Sequence, residues 1–222
     1  MIWRDKLDRR GDEVAGDPVE QERIALSSRV DLAGLPPLTR AVTEQVIGST
    51  ADICYANDLV CSEPWLEAAV GALAAGAPVV ADGPMVAAGI VTDSLVCKVG
   101  ESLTERLART AGIATAAAAV RLAYGEAGPG AVWVVGSEPV AVYEILSRNV
   151  QPALVIATPA GFVAAVAARK ALRGSGLPSL TNAGEKGGPA VAVAACAALL
   201  TAARGVAAAP AGARAGQSRS GR

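Results

Sequence analysis

The chain of 222 residues contains no histidine. That excludes Ser-His-Asp and Cys-His nucleophile pairs, His-ligated metal sites and imidazole acid–base chemistry. Aromatic side chains are scarce, with Trp 3, Tyr 3 and Phe 1, so base-stacking platforms are not expected. Charge of one sign is lacking too: 20 basic against 21 acidic side chains give −1, without the basic excess of a nucleic-acid binder. Cys54, Cys61, Cys97 and Cys196 form no C-x-x-C pair, and without His they complete no zinc site. They read as small buried hydrophobes in a reducing cytoplasm.

Long uninterrupted apolar runs are also missing. Mean hydropathy is positive at +0.37. Even so, Ala153–Ala168 is broken by Pro159 and Gly161, and Ala190–Ala203 is bounded by Gly187-Gly188-Pro189 and Arg204. Both fall short of the roughly 18–20 residues of a membrane span, so no membrane is expected. The first 23 residues are charged and hold no signal-peptide core.

What is abundant is small: 49 Ala, 24 Gly and 13 Pro. A core of Ala, Val and Leu brings helices close together, and 52% hydrophobic residues suffices to build one. Residues 1–22 are polar and read as a flexible arm. Residues 23–204 read as one domain, and residues 205–222 as a low-complexity, disordered tail.

Within the domain, short β-like runs alternate with Ala-rich helical runs. Strands are expected at Pro78–Ala81, Val96–Val99, Ala131–Val135 and Ala153–Ala157. Helices are expected at Pro37–Ile47, Pro64–Ala75, Ser102–Ala111, Ala114–Tyr124, Pro139–Ser147, Gly161–Leu172 and Gly188–Arg204. Ser62 before Pro64 marks one start, and Ser102 with Glu105 has the capping-box spacing of another. The pattern predicts a single α/β domain, a mostly parallel central sheet with helices on both faces.

Ligands of such sheets sit beyond the carboxyl ends of the strands. The loops to inspect are therefore Asp82–Met85, Gly136–Pro139, Thr158–Gly161 and Gly184–Pro189. The last opens a helix, where backbone N–H groups can meet an anion, but it lacks the Walker A spacing. Gly125–Gly130 precedes a strand and reads as a turn. Asp82 either orients a ligand or caps the next turn. Met85 is either core or ligand contact. Tyr55 reads as packed, with its hydroxyl at the surface.

Several of these segments together resemble the precorrin-8X methylmutase family (cobalt-precorrin-8 methylmutase in the anaerobic route). Ala51-Asp52-Ile53-Cys54-Tyr55-Ala56 resembles its A-D-F-x-Y-A stretch. Asp82 with Met85-Val86-Ala87-Ala88-Gly89-Ile90 is similar to its D-x-x-M-V-x-x-G-[IV]. Val135-Gly136 with Pro139 resembles V-G-N-A-P-T-A. Pro159-Ala160-Gly161-Phe162-Val163 resembles P-V-G-F-V, and Lys186-Gly187-Gly188 the R-x-R-K-G-G-[ST] loop. Order and spacing agree from about Ala25 to Arg204.

The resemblance implies an α/β homodimer in the cytoplasm that binds a polycarboxylated corrinoid tetrapyrrole. It implies an isomerase of cobalamin biosynthesis that shifts a methyl group within ring C, with no metal, redox cofactor or methyl donor. By the same resemblance, Ser49, Thr50, Asp82, Met85, Ser137, Lys186, Gly187 and Gly188 are the substrate-binding candidates, and Lys186 is either solvated or set to meet a substrate carboxylate.

The sequence departs from the family where chemistry is concentrated. In the family's V-I-H-[TS]-T-A-D stretch, here Val46-Ile47-Gly48-Ser49-Thr50-Ala51-Asp52, Gly48 stands in place of His. The Ser49 and Thr50 hydroxyls can only hydrogen-bond, whereas Asp52 can donate a proton if burial raises its pKa. Ala114-Thr115-Ala116-Ala117 lacks the Arg of T-R-[SA]-A-A. Ser137-Glu138 replaces N-A of the family turn, Ala167-Ala168-Arg169 replaces E-S-K, and Glu185 precedes Lys186. Two readings follow: a methylmutase with an altered site, or a non-catalytic paralogue that binds a corrinoid or a partner enzyme.

Overall fold

The computed structural model describes residues 18–208; residues 1–17 and 209–222, most of the expected arm and tail, lie outside the described residues. Two compact units divide at Gly34. The first carries helix α1 (Pro18–Ser27), whose C-terminal end is closed by Ser28 N–H donating to Ile24 O. Its first residues belong to the stretch expected as an arm.

The second unit holds every other element. In chain order these are α2 (Pro37–Thr50), α3 (Tyr55–Asp58), β1 (Leu59–Val60), α4 (Glu63–Ala74), β2 (Val79–Ala81), α5 (Pro84–Gly89), β3 (Leu95–Cys97) and α6 (Ser102–Ala111). Then follow α7 (Thr115–Ala127), β4 (Val132–Val135), α8 (Pro139–Ser147), β5 (Leu154–Ala157), α9 (Ala164–Gly174), β6 (Ser179–Asn182) and α10 (Pro189–Ala208).

Six strands form one sheet in the order β1-β6-β5-β4-β2-β3. All neighbours are parallel except β1, which pairs antiparallel with β6. Residues of β4 and β5 are buried throughout, and Trp133 pairs with Val155 in the middle of the sheet. A strand covered on both faces must be apolar on both, hence the unbroken Val-Trp-Val-Val and Leu-Val-Ile-Ala runs. Helices α2, α4, α5 and α10 pack together on one face; α6, α7, α8 and α9 pack on the other. The expected α/β class, parallel sheet and two helical layers are all present.

The four expected strands are found within a residue or two of their expected bounds. Two others were not legible. β1 is only two residues long, and β6 reads Ser-Leu-Thr-Asn, buried although polar, with Thr181 and Asn182 finding side-chain partners inside. Short α3 and α5 also escaped the periodicity, since one turn carries too few residues to show it.

Three further expectations are corrected. The Ser102–Glu105 capping box does not form: Glu101 is the N-cap residue and makes no side-chain cap bond. Helix α9 starts at Ala164 rather than Gly161, because Gly161 sits at φ 147° with its N–H bonded to Glu185 O. Helix α10 runs four residues past Arg204, into the stretch expected as tail. At 20 residues it is long and apolar enough to cross a membrane, unlike the shorter run read from sequence. Its Val191, Ala195, Cys196 and Leu199 are buried against α2, α4 and α5, as a core helix requires.

Helix α2 shows how tertiary structure supplies what the local sequence lacks. Its N-cap is Pro36, which offers no side-chain acceptor. The Glu63 carboxylate, arriving from α4, accepts Leu38 N–H at 2.7 Å, Thr39 N–H at 2.9 Å and the Thr39 hydroxyl at 2.7 Å. These are the orphan donors of a helix first turn, met by an anion at the positive end of the helix dipole.

Candidate active site

The chain path sets where a crevice opens. From β2 it passes over one face through α5 to β3, then returns over the other face through α6 and α7 to β4 on the far side of β2. Connections therefore diverge at the carboxyl ends of β2 and β4, the switch point at which open α/β sheets bind ligands. A cleft of about 380 Å³ lies there, lined by Asp82, Gly83, Met85, Thr115, Ser137 and Glu138 among others.

Asp82 follows β2 directly and is 7% exposed. Its Oδ2 accepts Ser137 N–H at 2.7 Å and Glu138 N–H at 3.0 Å, the donors just ahead of α8. The carboxylate thus caps the turn, and it also lines the cleft. Its Oδ1 is buried without a partner. Burial pushes the Asp82 carboxyl above its ordinary range, and the backbone N–H groups of Glu138, Ser137 and Gly136 pull it back only in part. Met85 stands 67% exposed at the cleft rim, outside the core. Gly136 is required here: a Cβ would sit 2.8 Å from Pro189 Cα, where α10 starts.

A second constellation lies beyond β5 and β6. The Arg169 guanidinium is fully buried. It donates to Pro159 O at 2.7 Å, Asn182 Oδ1 at 2.9 Å, Lys186 O at 3.0 Å and Gly184 O. Asp58 Oδ1 accepts Gly184 N–H at 2.6 Å, and Asn182 Nδ2 donates to Lys186 O at 2.7 Å. Arg169 therefore organises the Gly184–Gly188 loop from within instead of facing a ligand. Spacing alone gave no sign of this role; Asn182 and Asp58, its companions, were likewise not singled out.

That loop is not the open anion cradle its glycines suggest. The Gly188 N–H donates to Thr158 O at 2.6 Å, and Gly184 N–H is taken by Asp58. Gly187 lies at φ 146°, and a Cβ there would stand 2.2 Å from Thr158 O, so close approach of two backbones explains the glycine. Lys186 is exposed, but its Nζ is 2.6 Å from Asp52 Oδ2. The hydrogen bond from Lys186 holds the Asp52 carboxyl below its ordinary range, with help from the Cys54 N–H. Asp52 is thus an ionised partner of Lys186 and not the buried proton donor that its sequence position allowed.

Gly48 and Ser49 are exposed in the last turn of α2. The Thr50 hydroxyl is occupied, donating to Val46 O at 2.8 Å. Tyr55 is 3% exposed, packed as its sequence position suggests. Of the four thiols only Cys196 is buried; Cys54 is exposed, and Cys61 and Cys97 are half-buried. The candidates thus fall into two groups: Asp82, Met85 and Ser137 line the switch-point cleft, while Ser49, Thr50, Lys186, Gly187 and Gly188 accompany the α2 end and the β6 loop. Among the described residues no cluster of His, Cys, Asp and Glu is suited to a metal ion.

The precorrin-8X methylmutase family matches residues 19–202. The chain belongs to the precorrin-8X methylmutase family. It is 33% identical over 195 residues to the cobalt-precorrin-8 methylmutase of Methanothermobacter thermautotrophicus, covering 86% of this chain and 93% of that one. It is 34% identical over 157 residues to the cobalt-precorrin-8 methylmutase of Methanocaldococcus jannaschii, covering 69% and 74%. Among solved structures, the precorrin-8X methylmutase of Thermus thermophilus matches with a TM-score of 0.76 at 29% identity, covering 84% of this chain and 96% of that one. A precorrin-8X methylmutase related protein shares the fold at a TM-score of 0.72 and 22% identity. The methylmutase fold thus carries both clusters, the cleft and the ordered β6 loop, and Gly48 sits within it at the end of α2.

Proposed function

We propose that this protein is a precorrin-8X methylmutase of cobalamin biosynthesis, a cytoplasmic homodimer that moves a methyl group within ring C of its tetrapyrrole. The observation that carries this reading is the match over residues 19–202, together with 33% identity along 93% of a curated cobalt-precorrin-8 methylmutase.

The reaction is intramolecular. One carbon–carbon bond breaks and another forms in the same macrocycle, so neither a methyl donor nor a redox partner enters the balance. The chief contribution available to the protein is to hold the substrate in one geometry. The switch-point cleft supplies a rigid floor for this. The end of β2 is tied through Asp82 to the start of α8, and the β6 loop is fixed by Arg169, Asn182 and Asp58. No imidazole assists, and Ser49 and Thr50 offer hydroxyls too weakly acidic to protonate a ring at neutral pH. Orientation therefore carries the catalysis, and turnover is slow for the family.

Single-turnover mixing of purified protein with precorrin-8X, followed by visible absorption, tests this reading. Conversion to the hydrogenobyrinic-acid spectrum is the expected result. A bound but unconverted spectrum makes the protein a corrinoid-binding paralogue instead.

A further inference from the structure

Among the described residues, three buried side-chain polar atoms have no hydrogen-bond partner: Asp82 Oδ1, Trp133 Nε1 and Arg169 Nε. Two of these residues border one chamber. Asp82 and Trp133 both line a small space of about 10 Å³ between the sheet and α7. The register explains why. Val80 of β2 stands opposite Trp133 of β4, and Asp82 lies two residues beyond Val80, so Asp82 and Trp133 project to the same face of the sheet. Ala116, Ala119, Val120 and Ala123 of α7 close the chamber with apolar side chains.

One partner is a donor only, and the other has a vacant acceptor oxygen. They make no hydrogen bond to each other. Leaving both unsatisfied in an apolar wall is costly, and a space near 10–15 Å³ is about what one water molecule occupies.

We propose that this chamber is a binding site for a single internal water, which accepts the Trp133 Nε1–H and donates to Asp82 Oδ1. The water ties the end of β2 to the centre of β4. It holds the Asp82 carboxylate by one oxygen while the other caps Ser137 and Glu138, so it belongs to the framework of the cleft wall. The site stands whether or not the protein is a methylmutase, since nothing in its argument uses the substrate.

Two measurements on the full chain test it. A crystal structure at about 1.2 Å should show one ordered peak within hydrogen-bond distance, about 2.7–3.2 Å, of both atoms. In solution, the Trp133 indole proton should show a rotating-frame cross-peak to water with the sign of dipolar contact, which separates it from chemical exchange. The W3F and W65F variants assign that signal by elimination, so nothing depends on how a variant at Trp133 folds. The D82N variant, which keeps a hydrogen-bonding group at this position, should retain the cross-peak, and D82L should lose it. A dry chamber in the crystal, a direct Trp133–Asp82 bond, or an indole proton without a dipolar contact to water overturns the proposal.

Discussion

Lys186 Nζ and Asp52 Oδ2 lie 2.6 Å apart, although 134 residues separate them in sequence. The pair joins the β6 loop to the turn that follows α2. It also neutralises both groups as independent actors: the lysine offers a substrate carboxylate only what Asp52 leaves, and the aspartate holds no proton to give. An ammonium freed from this partner should bind carboxylates better. In D52N, affinity for precorrin-8X should rise about two- to fivefold, as expected for release of one exposed ion pair. The gain should fade at high salt. A spectral titration at two ionic strengths measures it; unchanged affinity removes Lys186 from the binding surface.

Gly48 is exposed in the last turn of α2 and carries no side chain to aid the reaction. Restoring an imidazole in G48H should raise the single-turnover rate by about 10²–10⁴, the usual contribution of a positioned acid. The same change replaces Gly in a helix, so thermal stability should hold or rise slightly. A stable variant without rate gain places the reacting ring away from the α2 terminus.

From a buried guanidinium, Arg169 makes three hydrogen bonds to the loops that follow β5 and β6 and one to Asn182 at the end of β6. R169M keeps the bulk and removes the donors, leaving the Pro159 carbonyl and Asn182 Oδ1 unmet and the Gly184 and Lys186 carbonyls with only the Asn182 amide. Hydrogen bonds to charged groups are worth about 1.5–3 kcal/mol each. Non-additivity brings the expected loss to about 3 kcal/mol or more in urea unfolding. R169K, a point charge without the planar fork, should recover only part of it.

Asp82 has the opposite pH signature to most structural carboxylates. Burial raises its folded-state pKa above the ordinary 3.8, so as pH rises the unfolded chain gives up this proton first. Its contribution to stability is therefore present below pH 3.8 and is lost between that value and the higher folded pKa. D82N keeps an oxygen to accept the Ser137 and Glu138 N–H groups but never ionises. Relative to wild type, D82N should gain stability as pH climbs out of the acid range, with a constant difference above it. Denaturation midpoints from pH 3 to 8 measure this; a difference that does not vary with pH means the two states share one pKa.

Glu63 behaves conventionally. Its burial acts to raise the pKa, but bonds from Leu38 and Thr39 outweigh that and hold the carboxyl below its ordinary 4.5. Its share of stability is present above pH 4.5 and is lost as pH falls through the depressed folded value. E63A should cost about 0.5–2 kcal/mol at neutral pH, the range for a lost helix cap, and the loss should vanish in acid.

Sequence alone determined much here. Apolar runs bounded by Gly, Pro and Asp marked β2, β3, β4 and β5, because strands covered on both faces cannot alternate. The same logic ordered the helices between them and put the crevice beyond the carboxyl ends of the strands. Absence of His was decisive in the same way, since a missing residue type removes its chemistry whatever the fold. β6 stayed hidden because its buried Thr181 and Asn182 are polar, and their burial is allowed only by Arg173, Arg169 and Asp58, which converge from α9 and α3.

Tertiary structure alone decided which groups are free. Gly184-Glu185-Lys186-Gly187-Gly188 reads as an anion loop until Thr158, Asp58 and Arg169 are seen to occupy its backbone. Asp52, in the turn after α2, and Asp82, at the end of β2, are the same residue type, yet one is pinned ionised by Lys186 while the other is pushed toward its neutral form by burial. Local sequence fixes a side chain's type and its place on an element. Its charge state and availability follow from neighbours 55 to 134 residues away, which only the packed fold brings into reach.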